Sequence, residues 1–381
     1  MIDCLLTHAN VLLPDQIAAN SSVAVQSGQI SAIGDAAKRL DHLPCINLDG
    51  DWLLPGFIDL QVNGGGGVLF NDAPCAQTLQ RMLEAHRPFG TTRLLPTLIS
   101  ADRRHMQAAR DAVRQAQADG AQGVLGLHLE GPFLSPERRG VHDARYFRAL
   151  RDEDLDWLAA ADCGCLMLTL APECQSVERI AQLAAMGVIV MLGHSAADTE
   201  TTHAALYAGA RGFTHLFNAM PPWLGRAPGV LGAALLDDGS HVGLIVDGHH
   251  LHPASIALAL RCKPRGRCFL VTDAMSTVGS DQREFRLGEH TVRLQEGCLR
   301  TEDGTLAGSA LDMISAVRRC IEQHGIAPED AFRMASTWPA DLLGRSDLGR
   351  IAVGASADLL RLSPDLRVKA TWLAGEMQTH S

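Results

Sequence analysis

The sequence predicts an α/β protein: a TIM-like (β/α)8 barrel with a small β-sandwich built from both chain ends. Three observations lead to this prediction. Eight short apolar runs are each followed by a helix-compatible stretch, and polar residues close almost every run. The two chain ends differ from the rest, because both contain short runs of alternating apolar and polar residues. Repeated strand–helix units are typical of a parallel barrel of roughly 250 residues, which the chain can hold together with a smaller unit.

The eight apolar runs are interpreted as strands buried on both faces, because their hydrophobic residues follow one another rather than alternate. They cover residues 53–61, 91–99, 123–130, 165–171, 187–194, 212–217, 242–248 and 267–274. Helices are predicted over residues 101–120 and 197–209, the second with Asp198 as its N-cap. Residues 218–239, which contain three prolines and several glycines, are predicted to form a functional loop.

The chain ends are predicted to form the small β domain. Residues 1–52 and 349–381 contain short alternating runs separated by turn residues. Neither segment is long enough to bury a core alone. We therefore expect one β-sandwich from residues 1–52 and 349–381, and a catalytic barrel over residues 53–348.

Composition and charge limit the partners of the chain. A net charge of −10 supplies no basic field that would hold nucleic acid or an anionic membrane. The start, MIDCLLTHAN, lacks a signal-peptide pattern, and no apolar run reaches membrane-spanning length. The ten cysteines are scattered without a CxxC pair, which is typical of reduced thiols. We expect a cytoplasmic protein with no nucleic-acid or membrane partner.

Polar side chains stand at the predicted strand ends, where parallel barrels gather their chemistry. They are Gln61, Asn63, Thr97, Glu130, Glu173, His194, His215, Asp247 and Asp273. One carboxylate and two imidazoles, Glu130, His194 and His215, are typical of a catalytic metal site that keeps a position for water. A lone strand-end histidine is more often a hydrogen-bonded structural residue, but the set of three favours ligation. Asp273 is interpreted as an acid–base group beside this set.

Eight short motifs stand in order along nearly the whole chain. They are PGFIDLQVNG (55–64), HLEGPF (128–133), GVHD (140–143), LGHSAAD (192–198), THLFNAM (214–220), DGHHLHP (247–253), VTDAM (271–275) and AGSALDM (307–313). Any one of them alone is a weak signal. As a set they resemble the N-acetylglucosamine-6-phosphate deacetylases of the amidohydrolase superfamily.

The resemblance implies metal-dependent hydrolysis of the acetamide of N-acetylglucosamine 6-phosphate in amino-sugar catabolism or recycling, by a cytoplasmic homodimer. It implies that Glu130, His194 and His215 bind the metal. It also implies that Asp273 is general base and then acid, and that His142 polarises the acetyl carbonyl. The substrate-binding residues that it implies are Gln61, Val141, Asn218, Ala219, Arg226, Asp247, His250, Leu306, Ala307 and Gly308.

Arg226 and His250 are the implied residues whose side chains suit a phosphate group. Each also has a plain structural interpretation, as a solvated loop arginine and a surface histidine. His249 and His252 crowd the same segment as His250. The sequence therefore leaves open which of the three imidazoles faces the pocket.

Gln61 and Asn63 stand where two-metal members of the superfamily carry paired histidines, so the resemblance indicates the single-metal type. Amides are poor zinc ligands compared with imidazoles. We predict one divalent ion per chain, Zn²⁺ in the first place, with Fe²⁺, Co²⁺ or Mn²⁺ as alternatives. Gln61 is then expected to hydrogen-bond a water molecule or a substrate group.

Three alternative functions remain open. N-acetylgalactosamine 6-phosphate differs from the gluco epimer only in the orientation of one hydroxyl, and no residue identifies the partner of that hydroxyl. A cyclic-amide hydrolase usually needs two metals bridged by a modified lysine, and no lysine ends any of the eight runs. A non-catalytic sugar-phosphate-binding barrel is expected to have lost part of the ligand or acid–base set, which is complete here.

Overall fold

The structure, a computed structural model, describes residues 3–380. Its strands are β1 (Cys4–Leu12), β2 (Ile17–Gln26), β3 (Gln29–Ile33), β4 (Cys45–Asn47), β5 (Trp52–Pro55), β6 (Phe57–Val62), β7 (Gly64–Gly65), β8 (Val68–Leu69), β9 (Thr91–Ile99), β10 (Gly126–Glu130), β11 (Cys165–Leu170), β12 (Ile189–Leu192), β13 (Gly212–Phe213), β14 (His241–Leu244), β15 (Cys268–Leu270), β16 (Glu284–Leu287), β17 (His290–Gln295), β18 (Cys298–Arg300), β19 (Leu359–Leu362), β20 (Val368–Leu373) and β21 (Glu376–Thr379).

The α-helices are α1 (Asp35–Lys38), α2 (Ala76–His86), α3 (Arg103–Ala118), α4 (Asp152–Ala159), α5 (Val177–Ala185), α6 (Thr199–Tyr207), α7 (Gly229–Leu236), α8 (Pro253–Cys262), α9 (Met313–Glu322), α10 (Pro328–Met334) and α11 (Thr337–Leu342). Short 3-10 helices cover Arg87–Phe89, Pro136–Arg138, Ala144–Tyr146 and Pro172–Cys174. Within residues 3–380, no helix combines the length and the apolarity that crossing a membrane requires.

Strands from all eight predicted apolar runs form one sheet in chain order, β6–β9–β10–β11–β12–β13–β14–β15, and the start of the first run belongs instead to β5 of another sheet. A parallel bridge joins Val62 to Ala274, and the backbone amide of Asp273 donates to the carbonyl of Gln61 at 2.9 Å. The end of the first strand therefore meets the chain that follows the last. The predicted TIM-like barrel is confirmed, and the carboxyl ends of its strands lie at one rim.

The strands and helices of the barrel follow the local sequence patterns that predict them. All nine residues of β9 are buried, as expected for a strand covered on both faces. Helix α3 buries five residues at helical spacing, and the carboxylate of Asp102 accepts a hydrogen bond from the amide of His105 at its start. Asp198 caps α6 as predicted, by accepting from the amide of Thr201 at 2.8 Å.

The predicted loop over residues 218–239 is wrong for its second half. The chain is irregular as far as Pro228, after which GVLGAALL forms α7. Six of the eight residues of α7 are buried. A helix buried on all sides shows no amphipathic periodicity, so the period that predicts surface helices cannot reveal it.

A three-stranded antiparallel sheet, β16–β17–β18, is an addition to the predicted fold. Glu284 pairs with Arg293, and Leu294 pairs with Leu299. Along β16 the side chains are alternately exposed and buried, which is the period-two pattern of a half-covered strand. This sheet follows the last barrel strand in the chain.

Strands from both chain ends form one mixed sheet of eight strands. Its order is β21–β20–β19–β5–β1–β2–β3, with β4 beside β1. The main hydrophobic cluster on this sheet packs Leu6, Val23 and Leu53 from the N-terminal segment with Ile351 and Trp372 from the C-terminal segment. Either end alone would leave this cluster incomplete. The prediction of one small β unit from both ends is confirmed, and its strands belong to a single mixed sheet.

The chain divides into two compact units by its internal contacts. The first comprises Met1–Asp59, His86–Arg93 and Asp312–Ser381, and the second comprises Leu60–Ala85 and Leu94–Leu311. The domain boundaries at residues 52/53 and 348/349 stay a prediction. All of the site described next belongs to the second unit.

Candidate active site

Four of the predicted polar residues stand at the carboxyl ends of barrel strands. Glu130 is the last residue of β10, His194 and His215 follow β12 and β13 by two residues, and Asp273 follows β15 by three. The φ angles of His194, His215 and Asp273 are 48°, 30° and 52°. A residue with a β-carbon rarely adopts this left-handed backbone. Such conformations gather at functional sites, where the surrounding structure holds the chain in place.

Glu130, His194 and His215 converge on one point. Oε1 of Glu130 lies 3.2 Å from Nε2 of His194 and 3.0 Å from Nε2 of His215, and the two Nε2 atoms are 3.1 Å apart. Ligands held tetrahedrally at about 2.1 Å from one ion would be about 3.4 Å from each other, so the donor spacing fits a single small cation. In the part of the chain that the structure describes, no other group of three histidine, cysteine or acidic side chains is arranged to bind a metal.

The surroundings of these residues favour the protonation states that can bind a metal ion. Nδ1–H of His194 donates to the backbone carbonyl of Arg138 at 2.8 Å, which leaves Nε2 as a lone pair facing the cluster. Burial would raise the pKa of Glu130, but the nearby imidazoles of His194 and His215 outweigh it and hold this pKa well below its usual range. The cluster thus presents one carboxylate and two imidazole nitrogens, the donor set of a catalytic zinc-type site.

Asp273 lies against the cluster and is held by two amides. Nε2 of Gln61 donates to Oδ1 of Asp273 and to Oε1 of Glu130, both at 3.1 Å, and Nδ2 of Asn63 donates to Oδ1 of Asp273 at 2.6 Å. Burial first, and then the charge of Glu130, raises the pKa of Asp273 to about 6. A carboxyl group with this pKa can accept and return a proton near neutral pH.

His142 stands on another side of the cluster, with its Nε2 3.9 Å from Oε2 of Glu130. Its Nδ1 accepts from the hydroxyl of Ser100 at 2.8 Å and from the backbone N–H of Ser100 at 3.4 Å. Burial first, and then the proximity of His194, lowers the pKa of His142 to about 3. The imidazole is therefore neutral, and the hydrogen bonds at Nδ1 leave its single proton on Nε2.

A cavity of about 370 Å³ opens onto these groups. It is lined by Glu130, His194, His215 and Asp273, and by seven further residues that the resemblance implies: Val141, His142, Asn218, Ala219, His250, Leu306 and Gly308. His250, rather than His249 or His252, reaches the cavity, and its Nδ1 lies 2.6 Å from Oδ2 of Asp247. His252 instead caps α8 by accepting from the amide of Ala254.

The sequence model of the amidohydrolase family matches residues 52–377, which is most of the chain and all of the site. The chain belongs to the amidohydrolase family. It is 43% identical over 371 residues to the N-acetylgalactosamine-6-phosphate deacetylase of Shewanella sp. (strain ANA-3), covering 97% of this chain and 94% of that protein. It is 38% identical over 359 residues to the N-acetylglucosamine-6-phosphate deacetylase of Vibrio furnissii, covering 92% and 89%.

Solved structures agree over the full length of this amidohydrolase. The N-acetylglucosamine-6-phosphate deacetylase of Pasteurella multocida superposes with a TM-score of 0.96 at 35% identity, covering 100% of both chains. A mutant of the Mycobacterium smegmatis enzyme, in complex with N-acetyl-D-glucosamine-6-phosphate, superposes with a TM-score of 0.91 at 33% identity, covering 99% of both chains. The resemblance that the eight motifs carry is thereby confirmed.

Four of the implied substrate-binding residues do not line the cavity of the amidohydrolase: Gln61, Arg226, Asp247 and Ala307. Gln61 bridges two carboxylates, and Asp247 orients His250. Arg226 lies on an exposed loop. The binding roles of all the implied residues, whether or not they line the cavity, stay a prediction.

Ile99, Arg138, Ile245 and Met275 line the cavity and are absent from the predicted set. Arg138 stands between two of the motifs, in a segment whose charge alone predicts only a solvated loop. The three aliphatic residues lie within or beside buried runs, where an apolar side chain is the ordinary occupant. Their position at the rim becomes visible only when the barrel closes.

Proposed function

We propose that this amidohydrolase is a hexosamine-6-phosphate deacetylase that hydrolyses the acetamide of N-acetylglucosamine 6-phosphate to glucosamine 6-phosphate and acetate. The observation that carries the proposal is the convergence of Glu130, His194 and His215 beside Asp273 at one end of a single cavity. The names of relatives that are 43%, 38% and 33% identical support the substrate class.

Glu130, His194 and His215 are the residues that would hold a divalent ion. Such an ion would polarise the acetyl carbonyl and make a water molecule acidic enough to lose a proton near neutral pH. We infer one ion per chain, because Gln61 and Asn63 replace the paired imidazoles that a second ion would need, and their N–H groups donate to Oδ1 of Asp273. Zn²⁺ suits this donor set, and Fe²⁺, Co²⁺ or Mn²⁺ would also be accommodated.

Asp273 moves the proton in the proposed reaction. It takes a proton from the attacking water and then gives it to the nitrogen of the leaving amine, as the C–O bond forms and the C–N bond breaks. Gln61 and Asn63 hold the carboxylate in place during both transfers. The pKa of about 6 suits a group that must be a base in one step and an acid in the next.

His142 stabilises the acetyl oxygen in this proposal. Its Nε2–H is the free donor of the ring and lies on the cluster side, where the oxygen of the substrate would gain negative charge. A donor positioned in advance at such an oxygen is worth about 10²-fold or more in rate. Ser100 fixes the tautomer that carries this donor.

His250 is the group in the cavity that we assign to the phosphate end of the substrate. Asp247 accepts from its Nδ1, so the other ring nitrogen is free to face the ligand. Arg226 is assigned to the same phosphate as predicted, although it lies on an exposed loop outside the cavity of its own chain. A homodimer in which the neighbouring subunit contributes to the phosphate site would explain how an exposed Arg226 outside the cavity of its own chain can bind the phosphate.

The galacto epimer is the second candidate substrate, because the relative with 43% identity is an N-acetylgalactosamine-6-phosphate deacetylase. The two candidates are separated by measuring acetate release and kcat/KM on both sugar phosphates, with protein loaded with one equivalent of Zn²⁺. We expect release from the gluco epimer, with a lower kcat/KM for the galacto epimer. A reversed order would move the assignment to the galacto epimer, and no release from either would contradict the proposed function.

A further inference from the structure

A second cavity, of about 490 Å³, lies beside the cavity of the proposed active site, which we call the active cavity. Ile99, Val141 and His142 line both cavities. His142 is already part of the proposed chemistry. Ile99 and Val141 are therefore the aliphatic part of the wall between the two spaces, and we call these two residues the dividing wall.

Hydrophobic packing and hydrogen bonds hold the dividing wall in place. Ile99 packs with Met275 in one hydrophobic cluster, and Val141 packs against the same cluster. The side chain of Asn71 clamps the backbone of Ile99 from both directions, since Nδ2 donates to its carbonyl at 3.1 Å and Oδ1 accepts from its amide at 3.0 Å. A shorter side chain at position 99 would thus leave the backbone in place and remove only the partition.

The dividing wall also lines the cavity in which the substrate is proposed to react. In the tetrahedral intermediate of amide hydrolysis, the acyl carbon bears the former carbonyl oxygen, the oxygen of the attacking water, the nitrogen and one alkyl group. We have assigned the first oxygen to His142 and the second to Asp273. Ile99 precedes the residue that bonds His142, and Met275 follows Asp273 by two positions. Ile99 and Met275 line the same cavity as His142 and Asp273, and this apolar surface matches the alkyl group, which is the apolar substituent.

We propose that the dividing wall limits the acyl chain to acetyl, and that shortening Ile99 joins the two cavities and admits a longer acyl group. This inference rests on the proposed function and adds the acyl-length determinant to it. A longer amide would be hydrolysed by the same step: the C–N bond breaks, a C–O bond to water forms, and the water proton passes to the amine. The product carboxylate is longer, and the sugar product is unchanged.

The test compares N-acetyl- and N-butanoyl-glucosamine 6-phosphate as substrates of the Zn²⁺-loaded full chain. We expect the wild-type kcat/KM to be far higher for the acetyl compound. In Ile99→Ala the butanoyl-to-acetyl ratio of kcat/KM should rise by about 10- to 200-fold, the discrimination that a single methylene gives in an apolar pocket. Ile99→Val should give a smaller rise in the same direction.

Ile245→Ala is the matched control, because Ile245 lines the active cavity but not the second one. The same truncation there should leave the ratio unchanged. Val141→Ala, at a half-buried turn position, repeats the test if Ile99→Ala fails to fold. Equal wild-type rates on both substrates, or an unchanged ratio in both wall variants, would overturn the inference while leaving the deacetylase proposal intact. Absence of acetate release by the wild type would remove both.

Discussion

Asp273 and its two amide neighbours show how one polar group acquires a chemical role from its surroundings. Two N–H donors fix the carboxylate, while burial and the nearby charge of Glu130 raise its pKa to about 6. The identity of the residue and its place after a strand are readable in the sequence. Its partners are not, because Asn63 and Asp273 are 210 positions apart and meet only where the barrel closes.

Asp273→Asn tests this role at the scale of one residue. We expect kcat to fall by about 10² or more, since an amide cannot relay the proton. The bound metal should be unchanged, because Asp273 is not one of the three converging ligands. Steady-state kinetics and metal analysis of the same sample provide the measurement. A variant with normal kcat and a raised KM would make Asp273 a binding residue and contradict the mechanism.

His250 illustrates what sequence reasoning at a single residue cannot decide. Three imidazoles stand within four positions, and all are compatible with a phosphate site. The outcome depends on the turn after β14, in which Oδ1 of Asp247 accepts from the amides of His249 and His250. That turn directs His250 to the cavity. Residue type alone therefore does not predict which of the three imidazoles the backbone directs to the cavity.

Elements of the barrel were predictable where their burial has a simple period. Strands covered on both faces appear as continuous apolar runs, and helices covered on one face show the 3.6-residue period. The sequence prediction misses helix α7 because this helix is buried on all sides. It misses β16–β18 because short, half-exposed strands resemble polar loops. Helix α7 packs against α6 and α8, and β16–β18 pair with one another, so the missed elements depend on contacts between elements rather than on a period within one.

Asp198, the N-cap of α6, gives a prediction at the scale of one element. Asp198→Ala should lower the free energy of unfolding by about 0.5–2 kcal/mol, because the amide of Thr201 loses its acceptor. Asp198→Asn is the matched control and should stay close to the wild type, since asparagine caps equally well. Urea denaturation gives the free energies. Equal losses in both variants would show that charge, and not capping, is what Asp198 supplies.

The whole molecule is predictable because separate signals agree. Eight apolar runs, eight ordered motifs and two similar chain ends each indicate the same architecture, and the terminal sheet indeed takes strands from both ends. The position of each domain boundary is less accessible, because one compact unit is assembled from three chain segments. Contacts between distant segments decide that assembly, and a linear pattern does not encode them.

A homodimer is the prediction that belongs to the whole molecule. The chain mass is 40.8 kDa, so light scattering on the full-length protein should give about twice that value, as the resemblance implies. Arg226→Ala should then weaken the use of the phosphorylated sugar more than that of the unphosphorylated sugar. A monomeric mass with full activity would contradict both the dimer and a phosphate site shared between subunits.

The most direct test of the central claim is a metal titration of chelator-treated protein, read by acetate release. One cation held by Glu130, His194 and His215 predicts that activity rises linearly to one equivalent of Zn²⁺ per chain and then stays constant. Glu130→Ala should lose both the tight binding and the activity. Full activity in metal-free protein, or a rise that continues to two equivalents, would contradict the account.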